Sequence, residues 1–539
     1  MSLQEDCWRK EIPAEVAEIG EAILEKDDPY RLIGEEVNEI LSLEDFAPLY
    51  SEEGRGALCP IILGLVVIFQ YLENIPDREA AKWARVRLDW KYALHVPVRW
   101  QGFHYSSLSY FRQRLLEHGK ERLLFEKVLA WIERHGMLKK QGKQRSDATH
   151  VLGQVAKLSR LELLWETLRV ALRAVASVAP GWYERHIPAA FHEAYSERQH
   201  DWQLNKDEVQ QATKQAGQDG FWLLEQIEGH APQEIKALAE VSTLRTVWEQ
   251  TFVRGGSQGG GSGRVRLRPS QRGKRKDIIP SPHEREARWS EKRGKEWIGY
   301  KLQVTETVER LAGQTFLTDI EICAANEDDS EAVGGIQQRL IACGLAPSEQ
   351  IVDAGYVSGR NLAHSQRRGI ALIGPALGDT SGKPAGYRQQ DFSIDWRHKR
   401  VTCPQGATSI AWFPRQDEKK EGIYIRFGAQ CQGCPAKQDC APGKHGRTLF
   451  LNAYYDHLMA CRAQQKTREF AKKLKQRSAV EGTLSMLVRK HGARRARYRG
   501  RQKTRLQYTL TGAAVNVKYL ARALHYRRQA ADRQQTIMA

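Results

Sequence analysis

The stretch that most constrains this chain lies between residues 295 and 374, where the apolar pattern changes period. Trp297-Ile-Gly-Tyr-Lys-Leu-Gln-Val304 and Thr315-Phe-Leu-Thr-Asp-Ile-Glu-Ile322 alternate as half-buried strands, joined as a hairpin across Leu311-Ala-Gly-Gln314. A helix is predicted over about 329–343. Gln350-Ile-Val-Asp353 then reads as a buried-type strand ending in a carboxylate, with a helix after Ala354-Gly-Tyr-Val-Ser358 and another strand at Ile370-Ala-Leu-Ile-Gly374. Upstream, Ser146–Leu152 reads as one more short strand. Strands interleaved with helices pack as an α/β layer structure.

The flanking regions read as helical. Apolar residues recur at helical spacing through Ile12–Leu24, Ala57–Leu72 and Leu123–Ile132, and a long helical region is expected over about 158–252. The apolar run Ala57–Phe69 is too short to span a bilayer and reads as a buried core helix. Ser106 or Ser107 is a candidate N-cap for a helix carrying Arg112 and Arg114, which suits either a DNA-reading helix or an ordinary bundle helix. Gly255–Gly263 lacks the Lys-Ser/Thr ending of a phosphate loop and reads as a linker. The run Arg264–Lys276 after it holds seven cations and no acid.

Charge narrows the partner. The chain has 83 Lys plus Arg against 65 Asp plus Glu, a net +18. Residues Arg462–Arg533 hold 21 cations and 3 acids, so the rest balances at 62 of each. An excess confined to 72 residues points to a polyanion, with double-stranded DNA the favoured partner and an anionic membrane surface the weaker option, because the stretch reads as lacking a long apolar face. Candidate phosphate contacts are Arg489, Lys490, Arg494, Arg495 and Arg497, then Arg499, Arg501, Lys503 and Arg505. The N-terminus has no signal-peptide pattern, and nine cysteines in 539 residues fit a reducing compartment, so a cytoplasmic, nucleoid-associated protein is expected.

Two residue sets carry chemistry. Asp147 and Asp353 stand at or near the edges of short apolar strands, where α/β sheets gather ligands. Carboxylates brought together there, with a third from a helix, offer oxygen ligands for Mg²⁺ or Mn²⁺. Cys403, Cys431, Cys434 and Cys440 form C-x27-C-x2-C-x5-C, a set able to hold structural Zn²⁺ or a [4Fe–4S] cluster. His445 is a substitute ligand.

Four motifs in order resemble a bacterial insertion-sequence transposase of the DDE type. They are Asp147-Ala-Thr-His150, the Ala287-Arg-Trp289…Lys292-Arg-Gly294…Trp297-Ile-Gly-Tyr-Lys301 stretch, Val352-Asp-Ala-Gly-Tyr-Val-Ser358, and Val480-Glu-Gly-Thr-Leu-Ser485…Arg494-Arg-Ala-Arg-Tyr-Arg-Gly500. The likeness also reaches Asp89-Trp-Lys-Tyr-Ala-Leu94 and Ser109-Tyr-Phe-Arg-Gln-Arg-Leu115. It implies a ribonuclease-H-like mixed sheet with Asp147, Asp353 and Glu481 as catalytic acids holding Mg²⁺. It also implies DNA partners, the element's terminal inverted repeats and the target, and at least a homodimer when two ends are synapsed. Relatives carry Tyr-x2-Arg-x3-Glu-x6-Lys around the third acid; here Arg477 and Glu481 fit, while Leu474 and Val488 replace the Tyr and Lys.

The acids are far apart in sequence, by 206 and 128 residues, so two insertions into the core are expected. The resulting division is a helical DNA-binding domain at 1–137, a first core strand within 138–157, a helical insertion and linker at 158–263, the core at 264–376, a cysteine-rich insertion at 377–455 and basic C-terminal helices at 456–539. The competing reading is a catalytically inactive, sequence-specific DNA-binding protein in which the acids are structural.

Overall fold

A computed structural model describes residues 2–254, 265–269, 276–378, 382–416 and 421–538. The expected linker 255–263 and most of the basic run Arg264–Lys276 lie outside the described residues.

The chain opens with helices. Helix α1 (Pro60–Glu73) starts on a proline, which needs no N–H partner there, and stops where Asn74 turns left-handed at φ 57°. Helix α2 (Ser106–Glu117) begins at Ser106 itself and has no side-chain cap, contrary to the serine N-cap read from sequence. Helix α3 (Leu123–Arg134) follows. These helices do not have a core of their own. Phe69, Phe125 and Trp131 belong to the same buried cluster as Leu302, Val304 and Leu510 farther along the chain. The 1–137 region is therefore packed as part of the central body.

Strand β1 (Gln141–Leu152) has twelve residues, longer than the sequence pattern indicates. Its first half is polar, yet Gln144 and Arg145 are buried because each finds partners: Gln144 donates to the Leu345 carbonyl and Arg145 to Glu306. The helical insertion comes next. It is a bundle of α4 (Arg160–Val178), α5 (Lys206–His230) and α6 (Ala239–Thr251) with shorter helices between. Capping boxes at Ser159/Glu162 and Asn205/Glu208 start α4 and α5. The bundle has a separate core that includes Leu168, Leu223, Val247 and Trp248.

The remaining strands complete the sheet around β1. Strands β2 (Arg288–Lys292) and β3 (Lys295–Thr307) form a hairpin, followed by β4 (Leu317–Ala324), helix α7 (Asp329–Ala342), β5 (Pro347–Ile351), helix α8 (Gly359–Arg367) and β6 (Ala371–Ile373). Strand β3 is antiparallel to β1; its other edge is shared by β2 and β4. On the far side of β1, strands β5 and β6 run parallel to it. The spatial order is β4–β3–β1–β5–β6, a mixed six-stranded sheet with β2 beside β4.

The cysteine-rich region folds around a small sheet of Ala411–Gln416, Glu421–Arg426 and Thr448–Asn452, with its own cluster of Phe392, Val401, Ile425 and Leu451. The chain ends in α9 (Ala479–Lys490) and α10 (Arg501–Met538). Helix α10 corrects the expectation that the basic tail lacks an apolar face. Leu506, Leu510, Ala513, Ala514, Val517 and Leu520 are buried along it, and Asn516 closes the edge of β4 with bonds to the Leu317 N–H and carbonyl at 2.9 and 2.8 Å. Cations crowd its two ends, which left its apolar middle masked by composition. No single helix among the described residues is long and apolar enough to cross a membrane.

Gly220 on α5 lets Trp248 of α6 lie against the helix backbone: a Cβ there would stand 2.0 Å from the indole. Gly220→Ala is expected to destabilise the insertion by about 1–3 kcal/mol through overpacking. Denaturant titration followed by tryptophan fluorescence checks it; an unchanged midpoint contradicts it.

Candidate active site at the ends of the parallel strands

The register of the two central strands brings the first two acids level. Arg145 of β1 is paired with Ile351 of β5 in a parallel ladder. Two residues further along both chains stand Asp147 and Asp353, on neighbouring strand paths that in a sheet are about 4.8 Å apart. Asp353 lies just past β5, where its carboxylate accepts the Gly355 N–H at 2.8 Å and caps a short 3-10 turn.

Helix α9 brings Glu481 within reach of Asp147 through a shared arginine. Val480, Leu484 and Leu487 are buried against the body, leaving Glu481 at the edge of that stripe with its side chain 63% exposed. Arg477 connects two of the acids. Its guanidinium donates to Asp147 Oδ2 at 2.8 Å and to Glu481 Oε1 at 2.9 Å. The Arg477–Glu481 contact is thus more than a surface pair one turn apart, because the same cation reaches the first strand.

The support beneath is a buried ion pair. Arg145 and Glu306, opposite one another on β1 and β3, are 5% and 0% exposed. Arg145 also donates to the Gln476 carbonyl at 3.0 Å, and the second Glu306 oxygen accepts the Thr483 hydroxyl at 2.6 Å. The first contact fixes the turn before α9 to β1, the strand that bears Asp147, and the second fixes α9 to β3 beside it.

Electrostatics mark the site. Burial raises the Asp147 carboxyl above its usual range, opposed by the Ala148 N–H and Arg477 and reinforced by the nearby Asp353 charge. Tyr356 is buried behind the acids and donates to the Gln303 amide oxygen; burial and the charges of Asp329, Asp147 and Asp353 hold its hydroxyl well above its usual pKa. Sequence reading missed Asp329. It opens α7, accepts Lys301 at 2.9 Å and Gln303 at 3.1 Å, and a Cβ on Gly355 would touch both Asp329 and Asp353. Its only sequence signal was an acid at the first turn of a predicted helix, the commonest place for one.

Among the described residues, no three His, Cys, Asp or Glu groups stand close enough to hold a metal ion. The carboxylates present still fit a hard divalent cation by donor type, all oxygen, although Asp147 and Glu481 are drawn to Arg477 here. The four cysteines are half-buried around the small cysteine-rich core, and burial raises the Cys440 thiol, with Cys431, Cys403 and Cys434 adding to the shift.

The basic residues divide. Arg112 is a correction: its side chain is 7% exposed and bonded to Asp77 and Gln70, so it ties helices together and faces no groove. Arg114 lies over Tyr50 and donates to the Leu49 carbonyl. Arg494 holds Thr149 and the His150 carbonyl, Arg497 holds the Ile75 carbonyl and Tyr71, Arg501 the Ile322 carbonyl, and Arg505 Glu321 and Glu121. These four are structural. Arg489, Lys490, Arg495, Arg499 and Lys503 remain exposed.

Two segments of the chain match known transposase families. Residues 402–521 match the model described as transposase DDE domain, and residues 18–114 match that described as transposase domain (DUF772). These matches indicate an insertion-sequence DDE transposase. No curated protein and no solved structure matches the chain. Glu481 and the four cysteines fall inside the first matched segment, whereas Asp147 and Asp353 lie between the two. Transposase DDE domains in general act in transposition and use a divalent metal such as Mg²⁺.

Arg477 favours the charged form of Asp147, so Arg477→Ala is expected to raise the Asp147 pKa further. Because the folded value already exceeds the unfolded one of about 3.9, Asp147 stabilises the fold below that pH and the contribution is lost as pH rises through the folded value. Carboxyl ¹³C titration of Asp147 in both proteins checks this, and a downward or absent shift contradicts it.

Proposed function

We propose that this transposase cleaves DNA at the ends of its insertion sequence and joins the freed 3′-hydroxyl to target DNA, using Asp147, Asp353 and Glu481 as metal-holding acids on a ribonuclease-H-like core. The observation that carries the reading is the alignment of Asp147 with Asp353 across parallel strands, with Glu481 tied to Asp147 through Arg477. The strand order β4–β3–β1–β5–β6, three antiparallel strands followed by two parallel ones, supports the core assignment.

The residues divide the work. Asp147 and Asp353 would hold Mg²⁺ between the strand ends, and Glu481 would complete the set from α9. Bound there, such ions would activate an attacking hydroxyl and stabilise the leaving oxygen of a phosphodiester. Arg477 would then lose both carboxylate partners, leaving a planar donor suited to a phosphate. The protein contributes position and electrostatics, with no covalent intermediate. In the first step water attacks the phosphodiester and the 3′-oxygen leaves as a hydroxyl. In the second, that hydroxyl attacks a target phosphodiester, and the target strand's 3′-oxygen leaves as a hydroxyl. Two ends must meet, which makes a dimer or larger assembly the reacting species.

The four cysteines are read as a structural zinc site that holds an insertion with only a small core. Metal analysis of the purified chain is expected to find about one zinc per chain and no visible band; a band near 400 nm assigns an iron–sulfur cluster instead, and absence of both metals removes the site.

Asp353→Asn is expected to lower Mg²⁺-dependent cleavage of a duplex carrying the element's own end by at least about a thousandfold, the scale of losing a group that acts in the transition state. Binding of that duplex should change little. Cleavage at the wild-type rate would remove the acid from the reaction and leave a DNA-binding protein.

A further inference from the structure

A cleft of about 1580 Å³ opens between the helical insertion and the sheet. One wall is Ala148, Thr149 and His150, the three residues that follow Asp147 on β1. The other wall comes from the start of α4 and the end of α6, including Arg160, Leu163 and Thr251. The β2–β3 hairpin borders it. We propose that this cleft is the channel for one DNA strand beside the acids, and that the hairpin tip is the arm that grips its phosphates. The inference rests on Asp147 being a catalytic acid, which gives the strand its place.

Charge is the first argument. The lining carries nine Lys or Arg and four Asp or Glu. The acids are already engaged in part: Asp328 is paired with Lys276 and Asp329 with Lys301. Lys292, Arg293 and Lys295 at the hairpin tip, and Arg160 across from them, have no acidic partner among the described residues. Such a surplus in a concave site raises the local concentration of a polyanion.

The hairpin's own geometry is the second. Its two-residue turn places Arg293 at φ 54° and Gly294 at φ 74°, both left-handed, the tight form that follows the strand twist. Lys292 is paired directly with Lys295. Like charges opposite each other on a hairpin are destabilising, so the tip is arranged against its own stability and for an anion. The pleat sorts the two sides. Lys292 and Lys295 share a face with Ser290 and Trp297, while Glu291 and Glu296 share the other, where Glu296 meets Lys157. Trp297 on the cationic face packs against His150, ring centroids 5.2 Å apart. The lysines therefore stand on the side of the cleft floor.

That floor suits a base. Burial, then Arg494, Lys292 and Lys295, lower the His150 pKa, so it presents a neutral aromatic ring at neutral pH. A phosphate chain held by the tip with a base against His150 matches how single strands are bound: cations along the backbone and stacking on flat side chains.

The test uses the full-length protein in metal-free buffer with a labelled single-stranded oligonucleotide of the element's end. Fluorescence anisotropy is recorded over a salt series. For the triple variant Lys292→Ala, Arg293→Ala, Lys295→Ala, affinity should fall at least about tenfold and the slope of log K against log salt by about 2, the loss of three phosphate contacts at about 0.7 each. Glu291→Ala, which removes an acid of the same hairpin that also lines the cleft, should keep the wild-type affinity or raise it. Unchanged binding by the triple variant overturns the proposal, as does an equal loss in Glu291→Ala, which would mean the hairpin is merely structural. A parallel Mg²⁺ cleavage assay separates this from the function itself. Wild type that cleaves beside a triple variant that binds and cleaves normally sinks the channel alone. Wild type that binds the strand through the tip but never cleaves removes the catalytic reading of the acids and, with it, the strand's assigned purpose.

Discussion

The buried pair between Arg145 and Glu306 is the interaction on which the candidate site depends. It joins β1 to β3 at the level of the acids and spends its remaining hydrogen-bonding capacity on the Gln476 carbonyl and the Thr483 hydroxyl. Two charges this deep are costly to desolvate, and removing one partner of such a pair typically costs about 3–5 kcal/mol. What the arrangement supplies is placement. It sets a helix from near residue 480 onto a strand near residue 147 so that Arg477 reaches both Asp147 and Glu481. Segments over 300 residues apart in sequence thereby share one small volume.

The same logic extends outward. Helix α10 runs through the central body and covers the edge of β4 through Asn516, so the basic C-terminal region is part of the core as well as of the surface. Arg494, Arg497, Arg501 and Arg505 are each spent on backbone carbonyls, aromatic rings or acids of distant segments. A cation-rich segment can thus be both the seam that closes the fold and the donor of the exposed Arg489, Lys490, Arg495, Arg499 and Lys503.

Much of this was legible in the residues. Alternation over 297–304 and 315–322 gave the β3–β4 pair, and the apolar run before Asp353 gave β5. Other features depend on contacts that no local pattern records. The polar first half of β1 is buried because Glu306 and Leu345 lie ready to satisfy it. Arg112 looked like a surface cation on a helix, yet Asp77 waits for it across the bundle. Asp329 looked like a helix-start acid, and only folding sets it beside Asp353. The shared core of residues 1–137 with the sheet was hidden for the same reason: composition marks a helix as amphipathic and does not say what covers it.

The central claim is that Asp147, Asp353 and Glu481 serve one metal site. Loading the protein with Fe²⁺ in place of Mg²⁺ and generating hydroxyl radicals with ascorbate and peroxide cuts the polypeptide only close to the bound ion. Cuts near residues 147, 353 and 481 together, all suppressed by excess Mg²⁺, are the predicted result. Cuts confined to one of the three segments, or elsewhere in the chain, would contradict it.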